Sequence, residues 1–136
     1  MKSLLVLEDE PSVMKLLRHM LEQYTLILAT TAEQAIQLFK DNAQQIDLLL
    51  ADVTLERSSG IHVALLLRSE VPRLPVILTS GHPVSQWSDR DAADFQRLAW
   101  QSLAFLQKPF QAKLLLNAVR ELIGTAQPDK ARTAGP

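Results

Sequence analysis

"LLVLEDEPSV", residues 4–13, runs four apolar residues straight into Glu8, Asp9 and Glu10 and is then cut by Pro11. The apolar part reads as a buried strand, and Ser12 after Pro11 reads as the start of a helix, so the acids fall at the strand's carboxyl end. Outward from that point the chain repeats the pattern. Short apolar runs at 3–7, 25–29, 48–51, 76–78 and 103–106 are separated by segments with helical spacing, as when parallel strands are joined by crossover helices. Val13, Leu16, Leu17, Met20 and Leu21 share one helical face, as do Ala32, Ala35, Ile36 and Phe39, and later Leu115, Ala118, Val119 and Leu122. Thr31 with Gln34 resembles a capping box for the second helix, and Ser59 with Gly60 opens a third over 61–70, which stops before Pro72. The region 82–101 shows only a weak stripe of Ala92, Phe95 and Ala99. The sum is a doubly wound α/β domain over residues 1–124, followed by a flexible tail or linker, "TAQPDKARTAGP", over 125–136.

Composition narrows the function. The chain has 136 residues, 47% hydrophobic, with a net charge of -1 and no cysteine. That length suits one core, and the charge provides no positive field for a phosphate backbone, so no direct nucleic-acid partner is expected. Disulfides, thiolate metal sites and cysteine nucleophiles are excluded. The apolar run before Glu8 is too short for a signal peptide core or a membrane span, and a cytoplasmic protein without a membrane partner is the expectation.

In doubly wound sheets, sites form outside the carboxyl ends of the strands. Those ends carry Glu8 and Asp9 after the first strand, Asp52 after the third, Thr79 after the fourth and Lys108 after the fifth. Taken singly, Asp9 or Asp52 reads as a helix cap or a solvated loop charge. Three carboxylates, a hydroxyl and an ammonium delivered to one edge by four strands form a constellation instead. Two unit charges about 4 Å apart at an effective dielectric near 20 repel by roughly 4 kcal/mol, so something must compensate. Protonation of one acid, Lys108, or a hard divalent cation would each serve; Mg²⁺ is favoured because it takes few protein carboxylates and leaves positions open for phosphate oxygens.

The motifs "VLEDEP", "LLLADVTLERSSG", "PVILTSG" and "FLQKPF" together resemble the receiver domain of two-component response regulators, over about residues 3–124. The resemblance implies a flavodoxin-like fold, a five-stranded parallel sheet of order 2-1-3-4-5 with about five helices. It implies that Asp52 accepts a phosphoryl group, and that Asp9, Asp52 and the backbone carbonyl of Thr54 hold Mg²⁺, with Glu8 acting through water. Thr79 would bond a phosphoryl oxygen and Lys108 would pair with the acceptor. The Lys108–Pro109 bond would be cis, aiming the lysine, and Phe105 would change its burial on activation. The implied partners are a sensor histidine kinase or histidine phosphotransfer protein, and a downstream protein reached through the fourth helix, fifth strand and fifth helix. Apart from phosphoryl transfer to itself and autodephosphorylation, no enzymatic activity is implied.

Several positions depart from the family's pattern. Glu56 stands four residues after the acceptor, where proline is common, and is expected to loosen the loop after the third strand. Ser80 replaces the usual alanine, while Thr54 and Gly81 are small at positions that tune how water reaches the phosphoryl group. Thr79 and Lys108 lie 29 residues apart, several more than usual, and Gln101 and Ser102 stand where Gly-Ala is common, so the fourth helix or the loop before it is expected to be extended or displaced. Trp87 and Trp100 read either as partner anchors or as a loop cover and core packing respectively. His19, His62 and His82 lack ligand spacing and read as surface residues. The leucines at 64–68 and 114–116 exceed a one-sided stripe, and those of the last helix mark a candidate dimer or partner contact.

Two other functions fit parts of the pattern. A receiver-like binding module would recognise its partner without phosphorylation. A Mg²⁺-dependent phosphatase with an aspartate nucleophile would want a second acid two residues on, where this chain has Thr54. No helix-turn-helix follows residue 124, so direct DNA binding is not an expectation for this chain.

Overall fold

The structure is a computed structural model that describes residues 2–98 and 102–124. Five parallel strands, β1 (Ser3–Leu7), β2 (Thr25–Ala29), β3 (Leu48–Asp52), β4 (Val76–Ser80) and β5 (Leu103–Gln107), form one sheet in the order β2-β1-β3-β4-β5. Between and after them run α1 (Pro11–Met20), α2 (Ala32–Asn42), α3 (Gly60–Glu70), α4 (Asp89–Leu98) and α5 (Ala112–Ile123). The flavodoxin-like order is therefore the observed one, with five α-helices among the described residues.

The alternation of side chains along each strand builds two cores. Leu5, Leu7, Leu49, Ala51, Val76 and Leu78 face α2, α3 and Leu98 of α4, while Leu4, Val6, Leu48, Leu50 and Ile77 face α1 and α5. Being covered on both faces, β1, β3 and β4 read as unbroken apolar runs, whereas the edge strands β2 and β5 are largely half-exposed.

Boundaries differ from the sequence reading where polar residues continue a ladder. Asp52, Thr79, Ser80 and Gln107 are themselves strand residues, because the Asp52↔Thr79 and Ser80↔Gln107 pairs keep the backbone register. The first helix begins at Pro11 with Glu10 as its N-cap rather than at Ser12, since proline suits the first helical position, whose N–H has no partner in the helix. Thr31 does cap α2, accepting from the Gln34 amide at 3.1 Å, but the Gln34 side chain returns to the Thr30 amide at 2.8 Å, one residue early. Ser59 caps α3 through the Ile61 amide at 3.1 Å.

The long β4–α4 connection contains a short 3₁₀ turn, Val84–Gln86, before Ser88 Oγ accepts the Asp91 amide at 3.0 Å and opens α4. The run at 64–68 wraps around α3: Ala64 and Leu67 are buried, Leu65 and Arg68 half-buried, and Leu66 exposed. Trp100, Gln101 and the tail 125–136 lie outside the described residues. Among the described residues no helix is long and apolar enough to cross a membrane.

Candidate functional site

The backbone brings the polar strand ends together before any side chain acts. Glu8 extends β1 by donating its amide to Ala29 O at 3.1 Å, Val53 donates to Thr79 O at 2.8 Å, and Lys108 donates to Ser80 O at 2.7 Å. Glu8, Asp9, Asp52, Thr79 and Lys108 are thus fixed on one sheet edge.

At the centre, Lys108 Nζ lies 2.8 Å from Glu8 Oε1 and 2.8 Å from Asp52 Oδ2. The second oxygen of each acid is also engaged: Asp52 Oδ1 accepts the Thr54 amide at 3.1 Å and Glu8 Oε2 the Glu10 amide at 3.2 Å. Asp9 Oδ2 accepts the Glu56 amide at 2.8 Å. One oxygen each of Glu8, Asp9 and Asp52 lies within 4.8 Å of the others. Thr79, buried beside Asp52 in the sheet register, completes the edge with a hydroxyl. Thr54 is exposed, and its antiparallel bridge to Ser59 shapes the turn after β3.

Burial sets the electrostatics. Desolvation pushes the Glu8 carboxyl above its usual range, helped by the neighbouring Asp52 charge and opposed by the hydrogen bond from Lys108. For Lys108 burial works against the ammonium, yet the hydrogen bonds to Asp52 and Glu8 prevail and hold its pKa above the ordinary value. With all groups ionised, one ammonium against three carboxylates leaves two negative charges uncompensated. That charge and the all-oxygen donor set fit a hard divalent cation.

Phe105 is half-buried on β5, and the Lys108–Pro109 peptide is cis. The Phe105 ring meets Trp87 at 5.4 Å and Phe95 at 6.4 Å between centroids, so Trp87 covers the loop against the core. His19, His62 and His82 are exposed.

Two contacts escape a reading of the sequence. Glu56, expected to loosen its loop, instead ties the loop to Asp9 through its amide, a bond that proline could not donate. The signal was available: a residue other than proline there restores an N–H. The Trp87–Phe105 contact had no such signal, because it depends on the path of the 81–88 loop.

A sequence profile of the response regulator receiver domain matches residues 4–120. The chain belongs to that family. Receivers are signalling modules of two-component systems, which sets the phosphatase reading aside. Transcriptional regulatory protein GlrR of Escherichia coli (strain K12) is 25% identical over 92% of the chain and 27% of its own length. Transcriptional regulatory protein CpxR of the same organism is 28% identical over 90% of the chain and 50% of its own length. The chain thus spans half or less of these curated relatives. A receiver domain protein of Clostridium thermocellum shares the fold with a TM-score of 0.77 at 21% identity, covering 99% of this chain and 100% of that one. TrrA of Thermotoga maritima, solved in complex with Mg²⁺ and BeF, gives a TM-score of 0.73 at 26% identity, covering 90% of this receiver and 99% of that chain.

Proposed function

We propose that this receiver accepts a phosphoryl group on Asp52 from a phosphohistidine of a sensor histidine kinase or histidine phosphotransfer protein, and so switches a protein-interaction surface. The observation that carries the reading is the Lys108 ammonium held 2.8 Å from an Asp52 oxygen beside two further acids. In the transfer the donor's N–P bond breaks with its electron pair left on nitrogen, so the ring departs as neutral imidazole with a proton on its other nitrogen, and a P–O bond forms to an Asp52 carboxylate oxygen. Such a step needs alignment and charge stabilisation more than protein covalent chemistry.

Asp9 and Asp52, with the Thr54 carbonyl and with Glu8 through water, are the residues that would hold Mg²⁺. When bound, the cation would neutralise the charge that builds on the phosphoryl oxygens. Lys108 orients the acceptor and then pairs with the phosphoryl group, and Thr79 donates its hydroxyl to a phosphoryl oxygen. The Mg²⁺ and BeF complex of TrrA supports this assignment by likeness. Sensor kinase CckA of Brucella abortus (strain 2308), 26% identical over 89% of the chain, supports a histidine-kinase partner.

Phosphorylation adds charge and acceptor oxygens. Thr79 moves toward them, Phe105 turns into the space vacated, and the surface of α4, β5 and α5 is biased toward its target. On α5 the exposed Leu114 offers that surface an apolar contact, to a target or to a second copy of the chain. The reading places the protein in the cytoplasm, with residues 1–124 as the working domain. Asp52→Asn tests it: acid-labile label from a small phosphodonor with Mg²⁺ is expected on the wild type and absent from the variant. Label retained on the variant would refute Asp52 as the acceptor.

A further inference from the structure

The 81–88 connection does more than reach α4, because it lays an aromatic ring on the residue assigned as the switch. Trp87 ends the 3₁₀ turn, and its indole Nε1 donates to His82 O at 3.0 Å, which fixes the ring relative to its own loop. From there it meets Phe95 of α4 at 5.2 Å with planes at 89° and Phe105 of β5 at 5.4 Å with planes at 78°. Phe95 and Phe105 touch at 6.4 Å and 76°, closing a three-ring cluster of edge-to-face contacts. Each ring belongs to a different segment, so the cluster ties the loop, the fourth helix and the fifth strand together. All three rings are half-buried and packed on the same core as Leu78 and Leu98.

We propose that Trp87 is a brace on the Phe105 switch, holding it in the resting orientation and passing its movement to the 82–88 loop and α4. This rests on the phosphorylation reading above. Shared contacts couple the two residues. Phe105 cannot rotate toward Thr79 without giving up its edge contacts to Trp87 and Phe95, and the loop that carries Trp87 then loses one of its two aromatic anchors. Thr79 pairs with Leu106, the neighbour of Phe105, so the backbones of Thr79 and Phe105 lie one residue apart in the β4–β5 ladder. The loop is bonded at its other end to the acceptor edge as well: Ser80 Oγ accepts the His82 amide at 3.0 Å, and His82 O is the acceptor of the indole N–H. A path of named contacts therefore runs from the strand end that carries Thr79, through Ser80, His82 and Trp87, to Phe105.

The brace opposes activation, so its removal should favour the activated state. An aromatic pair of this geometry, lost with Trp87→Ala, is expected to tighten binding of beryllofluoride with Mg²⁺ by about threefold to tenfold. The direct test is fluorine NMR of the full chain carrying 5-fluorotryptophan, with the Trp87 resonance assigned by Trp87→Phe. Addition of Mg²⁺ and beryllofluoride should give a bound beryllofluoride signal and, with the same midpoint, a shift of the Trp87 resonance. In Phe105→Leu, which keeps an apolar side chain on β5, the bound beryllofluoride signal should persist while the Trp87 shift is lost. A Trp87 resonance that stays put while beryllofluoride is bound would overturn the brace and leave the phosphorylation reading intact. So would equal beryllofluoride affinity of the wild type and Trp87→Ala. Absence of any bound beryllofluoride signal would overturn both.

Discussion

Gly60 is the first residue of α3 and lies against the end of β3: a Cβ there would overlap the carbonyl oxygen of Asp52 and meet the Ala51 Cβ at 3.0 Å. Backbone cannot yield as a flexible side chain can, so Gly60→Ala is expected to cost about 1–3 kcal/mol of stability, read from the urea midpoint. An unchanged midpoint would show that α3 has room to shift. Glu8 carries a different cost. Its folded-state pKa lies above the unfolded one because it is buried, so its contribution to stability is present below the ordinary carboxylate range and is lost as pH rises through the elevated value. For Lys108, also raised, the corresponding loss falls only at strongly alkaline pH. Metal-free protein should therefore lose melting temperature through Glu8 as pH rises above the ordinary carboxylate range, and Glu8→Gln should flatten that decline. Calorimetry across this range checks it; a parallel decline in the variant would assign the effect elsewhere.

At the scale of elements, one side chain anchors α3 to three later parts of the fold. Arg68 donates from Nε to Leu74 O at 3.0 Å, from Nη1 to Leu98 O at 3.0 Å, and from Nη2 to Ser102 O at 3.1 Å. It thereby joins the approach to β4, the end of α4 and the approach to β5, although burial lowers its pKa. Arg68→Met keeps the aliphatic stem but strands carbonyl oxygens, and should cost about 1–3 kcal/mol, with faster amide exchange in α4. Slow exchange retained in the variant would locate the anchor elsewhere. This role was not legible in the sequence, because its partners are backbone carbonyls, which every residue carries. The central strands were legible because parallel strands covered on both faces must be apolar throughout, and α1, α2 and α5 because each keeps one clear stripe. α4 was faint, since it buries fully only Leu98 among the described residues and leans on Phe95 and Trp87 for the rest.

Across the whole molecule, the candidate site was readable because the topology has a rule: doubly wound sheets collect their chemistry at the carboxyl edge. Glu8, Asp9, Asp52, Thr79 and Lys108 could be nominated from the strand ends without knowing any distance. The Lys108 contact with Glu8 and the Trp87 ring against Phe105 needed coordinates, since each depends on a chain path that residue types do not encode, whereas the amide of Glu56 on Asp9 was signalled only by the absence of proline. The proposed function requires that Asp52 accept a phosphoryl group with the help of a divalent cation. Mass analysis of the intact chain treated with phosphoramidate, with and without Mg²⁺, and then peptide mapping, tests this most directly. The prediction is a gain of one phosphoryl group that requires Mg²⁺ and maps to Asp52; a gain independent of Mg²⁺, or mapped to another residue, would contradict it.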